Sequence, residues 1–245
     1  MSPSEKNKFI SNWIKSYVDQ MPVKAQSLVI GISGGIDSSV SSTLSAMTGI
    51  KTIVLTMPIR QKNNQHDLSL KHQEWLIKNF KNVEAHTINL DKLFESFSST
   101  LEKFDNEHGY ANSRARLRMT TLYQVAAANK GIVVGTGNKV EDFGVGFYTK
   151  YGDGGVDISP IADCNKTEVW ELGKELGILK EIIDAPPTDG LWDDGRTDEG
   201  QLGFKYEDLE DAMKNPNSPH RQEYEKIRKQ NLHKMEPIPV CKIPS

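Results

Sequence analysis

The sequence predicts an α/β fold, an open and doubly wound parallel sheet with helices on both faces. Three observations lead there. Short apolar runs rich in branched residues, SLVIGI (27–32), TIVLTM (52–57) and GIVVGT (131–136), have the length and composition of buried parallel strands. Segments with apolar residues at helical spacing separate them, as crossovers between parallel strands require. A chain of 245 residues with 37% hydrophobic content can also bury the core of one large domain, so one domain over residues 1–245 is expected.

The elements follow in order. Phe9, Trp13, Ile14, Tyr17 and Val18 recur at helical spacing behind Ser4 and predict an opening amphipathic helix. The first strand leads through a glycine turn into a crossover helix over Asp37 to Met47, with Gly49 as its stop. Pro58 ends the second strand. A helix from about Asp67 to Phe80 carries Leu68, His72, Trp75 and Leu76, and VEAHTINL (83–90) alternates as a third strand. A helix from Asp91 to about Phe104 comes next. ANSRARLRMTTLYQVAAAN (111–129) is helical by its alanines and its Leu117, Leu122, Val125, Ala126 stripe, with Arg114, Arg116 and Arg118 in its first half. After 136 the chain turns glycine-rich and polar, with helices expected near 166–176, 206–213 and 221–231.

Composition narrows the function. A net charge of -3 gives no general basic field, so no nucleic-acid partner is expected. Neither a signal-peptide core nor a stretch of about 18 apolar residues occurs, so no membrane partner and a cytoplasmic location are expected. Cys164 and Cys241 stand alone and the six histidines form no H-x-x-x-H pair, which speaks against a disulfide framework or structural zinc. A metal held by carboxylates, such as Mg²⁺, fits the remaining donors better.

The stretch VIGISGGIDSSVSSTL (29–44) carries the chemistry. Gly31, Gly34 and Gly35 allow close approach and free their amides to face an anion, the next helix offers its positive end, and Ser33, Ser38 and Ser39 supply hydroxyls. This is a phosphate cradle. It lacks the lysine of a Walker A loop and the spacing of G-x-G-x-x-G. The alternative is a tight strand-to-helix turn capped by Ser33 or Asp37.

SGGIDSS resembles the S-G-G-x-D-S signature of the N-type ATP pyrophosphatases, which cleave ATP between its α and β phosphates to adenylylate a substrate. Downstream, GTGNKVEDFGVGFYTKYGDGGVDISPIADCNKTEVWELGKELG (135–177), PPTDGLWDDGRTDEGQLGFKYEDLE (186–210), NSRARLRM and the pair His233–Lys234 are similar to the matching blocks of ammonia-dependent NAD synthetases, in order and over nearly the whole chain. MPIRQKNNQH, after the second strand, departs from that family's usual turn.

The resemblance implies an adenine-nucleotide alpha-hydrolase-like fold, a homodimer sharing its substrate site, and amidation of deamido-NAD by ammonia with ATP as co-substrate. It implies an ATP site of Gly31, Ile32, Ser33, Gly34, Gly35, Ile36, Asp37, Ser38, Thr136, Lys166 and Thr188, and Mg²⁺ on Asp37 and Glu141. Arg116, Lys150, Asp157, His233 and Lys234 would grip deamido-NAD. Lys166 would stabilise charge on the phosphates, and Asp153 would receive a proton from ammonium. The acidic glycine-containing segment DGLWDDGRTDEG would close over ATP. Two rival readings are a tRNA-modifying or thiolating pyrophosphatase, which calls for a basic face or paired cysteines, and an ATP sensor, which needs no leaving-group stabilisation.

Overall fold

The computed structural model describes residues 1–60, 63–187 and 198–244. Its centre is a parallel sheet of β1 (Ser27–Gly31), β2 (Lys51–Thr56), β3 (Val83–Thr87) and β4 (Gly131–Val133) in the order β3-β2-β1-β4. The first three strands step outward in one direction, and the chain then crosses back to place β4 on the far side of β1. That reversal puts a topological switch point between the carboxyl ends of β1 and β4, where open α/β sheets bind ligands.

Ten α-helical segments occur among the described residues: α1 (Pro3–Gln20), α2 (Ile36–Met47), α3 (Asn63–Asn79), α4 (Asp91–Thr100), α5 (Glu107–Ala128), α6 (Lys166–Glu175), α7 (Lys180–Ile183), α8 (Asp198–Leu202), α9 (Tyr206–Lys214) and α10 (Arg221–Met235). Alternate residues of each strand face opposite layers. Leu28, Ile30, Val54 and Ile132 pack with residues of α1, α2, α3 and α6, while Val29, Ile53, Leu55 and Val133 pack with α4 and α5. The sheet is therefore doubly wound, as expected. A third core, of Val140, Val145, Tyr206, Leu209 and Tyr224, joins α9 and α10 to the segment after β4.

Several boundaries differ from the sequence reading. The first helix is capped by Ser2 rather than begun behind Ser4, through a capping box with Glu5. Its buried stripe is Ile10, Ile14 and Val18, and Phe9, Trp13 and Tyr17 lie exposed. The strand expected over 131–136 ends at Val133, although Val134 bridges Ile158 in parallel and the 156–158 segment runs on as a rudimentary neighbour of β4. Between them, Lys139–Val145 forms π-helical turns that no residue pattern announced. The last helix runs to Met235, so His233 and Lys234 are helical residues.

Candidate active site

The turn after β1 is held by its own serines. Ser38 Oγ donates to Gly35 O (3.0 Å) and accepts from Ser33 N (3.2 Å), Ser39 Oγ donates to the same carbonyl (2.9 Å), and Gly35 N donates to Ser33 Oγ (3.2 Å). Gly34 sits at φ 92°, a region open to glycine. The residue capping α2 is Gly35, with no side chain bonded to the first amides. Neither Ser33 nor Asp37 caps the helix, so its positive end is left for an anion.

Three charges meet beside this turn. Lys166, the first residue of α6 and 2% exposed, donates from Nζ to Asp37 Oδ2 (2.5 Å) and to Glu141 Oε1 (2.9 Å). α6 is placed for this by its capping box, Asn165 with Glu168, by the Lys6–Glu168 ion pair to α1, and by Glu210, which accepts from Thr167 N and Oγ1. Glu141 rides on the π-helical turns and also accepts from the Tyr206 hydroxyl.

Burial pushes the Asp37 carboxyl up to about 6, with Lys166 opposing and Glu141 adding to the rise. Burial alone would loosen the Lys166 proton, but Asp37 and Glu141 outweigh it and the ammonium is held charged. Asp37 Oδ1 and the nearby Asn138 Nδ2 are both buried without a hydrogen bond of ordinary geometry.

A cavity opens over the cluster at the switch point. Its walls include residues 31–38, Met57, Leu122, Thr136, Glu141, Asp142, Asp153, Arg118 and Lys166. The structure thus brings together eleven residues expected at the site, Gly31 to Ser38, Thr136, Glu141 and Lys166, and Asp153 lines the same cavity. Asp153 Oδ1 accepts from Thr149 N (2.9 Å). Thr188 and most of DGLWDDGRTDEG lie outside the described residues.

The five residues expected to hold deamido-NAD do not line this cavity. Three are linked to one another, Arg116 Nε donating to Lys150 O (3.3 Å) and Lys150 Nζ to His233 O (2.9 Å), while Lys234 Nζ donates to Gly146 O and Tyr148 O. Asp157 is turned to its own chain, where Oδ2 accepts from Val133 N (2.7 Å) and Oδ1 from the Tyr123 hydroxyl (3.1 Å).

Sequence reasoning passed over Asp142, Arg118 and Tyr206. Burial, then the charges of Asp153, Glu141 and Asp37, raise the Asp142 carboxyl well above the usual range. Its signal was adjacency to Glu141 in KVEDF. Arg118 had only its place in an arginine row.

Such a loop at the switch of a parallel sheet marks an α/β nucleotide-binding protein. The sequence matches the model of the NAD synthase family over residues 7–243. It is 38% identical over 211 residues to an NH(3)-dependent NAD(+) synthetase of Carboxydothermus hydrogenoformans, covering 84% of this chain and 83% of that one. Among solved structures, an NMN synthetase from Francisella tularensis superposes with a TM-score of 0.90 at 33% identity, over 99% of this chain and 100% of that one. An NH3-dependent NAD synthetase from Campylobacter jejuni shares the fold at a TM-score of 0.79 and 24% identity, over 99% and 100% of the two chains. The chain belongs to the NAD synthase family.

Proposed function

We propose that this protein amidates the nicotinate carboxylate of deamido-NAD with ammonia at the expense of ATP, releasing NAD, AMP and pyrophosphate. The observation that carries this reading is the part-buried cluster of Asp37, Lys166 and Glu141 beside a helix end with no side-chain cap, in a chain that matches the NAD synthase family nearly throughout.

A carboxylate is a poor acylating agent, so it must be activated. Its oxygen attacks the α phosphorus, the bond to the bridging oxygen of the β phosphate breaks, and pyrophosphate leaves from an acyl adenylate. Loop amides, the end of α2 and Lys166 face the charge that grows on these phosphates. Ammonia then attacks the carbonyl and AMP departs. Asp153, in the same cavity wall, takes the proton that the ammonium nitrogen sheds. Arg116, Lys150, Asp157, His233 and Lys234 serve the dinucleotide's outer half, and Thr136 and Thr188 the ATP.

Asp37 and Glu141 fit Mg²⁺. They are hard oxygen donors, Asp37 Oδ1 is buried without a hydrogen bond, and Mg²⁺ is commonly held by one or two carboxylates with phosphate oxygens and water. No group of three or more His, Cys, Asp or Glu side chains placed to hold a metal occurs among the described residues. Bound there, Mg²⁺ would neutralise charge on the departing pyrophosphate. A homodimer belongs to the same reading, supported by the exposed Phe9, Trp13 and Tyr17 that pairing could cover. No helix among the described residues is long and apolar enough to cross a membrane.

One observation favours a second substrate. The superposition on an NMN synthetase spans both chains, and that product is the amide of nicotinate mononucleotide. The reacting carboxylate is the same, and only the outer nucleotide half differs. Purified protein with ATP, Mg²⁺ and ammonium, given either acid and followed by mass-resolved products, separates the cases. Formation of NAD supports the first reading and preferred formation of the mononucleotide amide the second. ATP binding without any amide would overturn both.

A further inference from the structure

Arg118 stands on α5 in the cavity wall, one turn beyond Arg114. Its Nε donates to Met57 O (3.0 Å), which fixes the guanidinium plane against the end of β2. This is its only hydrogen bond among the described residues, and it forms no ion pair there, so both terminal nitrogens remain as donors. Burial, with help from Arg114, pulls its pKa down to about 10, while the Asp153 charge supports the cation. At neutral pH it keeps its proton, so a half-buried cation with spare donors faces the cavity.

The cavity's described walls hold one other cation, Lys166, and that one is already matched by Asp37 and Glu141. Phosphate charge has the loop and the end of α2 to meet it. The wall that Arg118 shares also carries the apolar side chains of Met57, Met119 and Leu122, with Asp153 the carboxylate whose charge reaches the guanidinium. A slot with soft, flat-tolerant sides and a paired-donor end suits an aromatic ring bearing a carboxylate.

We propose that Arg118 receives the carboxylate of the nicotinate ring through its two terminal nitrogens and so distinguishes acid substrate from amide product. The proposal rests on the amidation reading above. A carboxylate offers two acceptor oxygens to this fork, whereas the carboxamide replaces one with an N–H donor that opposes it. Amidation therefore removes the interaction that held the ring and assists product release.

The test is equilibrium binding by calorimetry, without ATP, of deamido-NAD against NAD and of nicotinate mononucleotide against its amide. Wild type, Arg118→Lys and Arg118→Met are compared, with circular dichroism to establish folding, and the affinity for ATP with Mg²⁺ is measured in parallel. Wild type should prefer the acid by about tenfold or more. In Arg118→Met the preference should fall to near parity with ATP affinity unchanged, and Arg118→Lys should retain part of it. A folded Arg118→Met that keeps the preference would overturn the proposal. So would a loss of ATP affinity with the acid preference intact, which would assign Arg118 to a phosphoryl oxygen. If wild type forms no amide from either acid, the functional reading itself fails, and that is seen in the product assay independently of Arg118.

Discussion

Lys166 lies between two carboxylates that would otherwise face each other in a poorly hydrated wall. Lys166→Met should lower kcat by about 10²- to 10³-fold, the usual consequence of removing one group that stabilises transition-state charge. It should also destabilise the fold by about 3–5 kcal/mol at alkaline pH, because the two acids lose their shared partner. Asp37 already has a raised folded-state pKa, to about 6, and losing Lys166 raises it further. An acid with a raised folded-state pKa favours folding only while protonated, so the defect should deepen from pH 5 to pH 8 in thermal unfolding. The residues of this cluster were legible because SGGIDSS and the blocks after β4 carry them in recognisable context. Arg118 was not, since helix rotation alone decides that it faces the cavity while Arg116 lies exposed on the same helix.

Helix α2 is an unusual element, lined with buried hydroxyls. Ser42 Oγ meets His72 Nε2 of α3 at 3.0 Å, and the fully buried His72 is pulled down to about 4 by burial. The unfolded chain takes up that proton near 6.5, well before the folded one does. Stability attributable to His72 is therefore intact above about pH 6.5 and falls by about 3 kcal/mol as pH drops to 4. His72→Gln should show a shallower loss of melting temperature over that interval. At the other end of α2, Gly34→Ala places a side chain at φ 92° and should weaken ATP binding more than it weakens the fold, as titration calorimetry beside thermal unfolding would reveal. Strand and helix existence was readable here from periodicity, apolar runs and glycine stops. The π-helical turns that aim Glu141 were not, because an i→i+5 pattern leaves no propensity signature comparable to a heptad or an alternation.

The whole molecule places its chemistry by topology. Because β4 returns beside β1, the turn after β1, the π-helical segment after β4 and the start of α6 converge, although 129 residues separate Asp37 from Lys166. Alternating strand and helix signals predicted such a sheet, but strand order and the exposure of Phe9, Trp13 and Tyr17 depend on contacts that no local pattern encodes. If pairing covers that stripe, light scattering should give twice the 27.4 kDa chain mass, and Trp13→Lys should shift it toward the monomer. The internal Lys166 bridge also separates maturation from supply. Since Lys166 already bridges the two acids, chelation should, if Mg²⁺ binds there as proposed, silence turnover while leaving the melting temperature in place. On that proposal, a cell short of magnesium would keep a stock of folded, idle enzyme, ready to resume work without new synthesis.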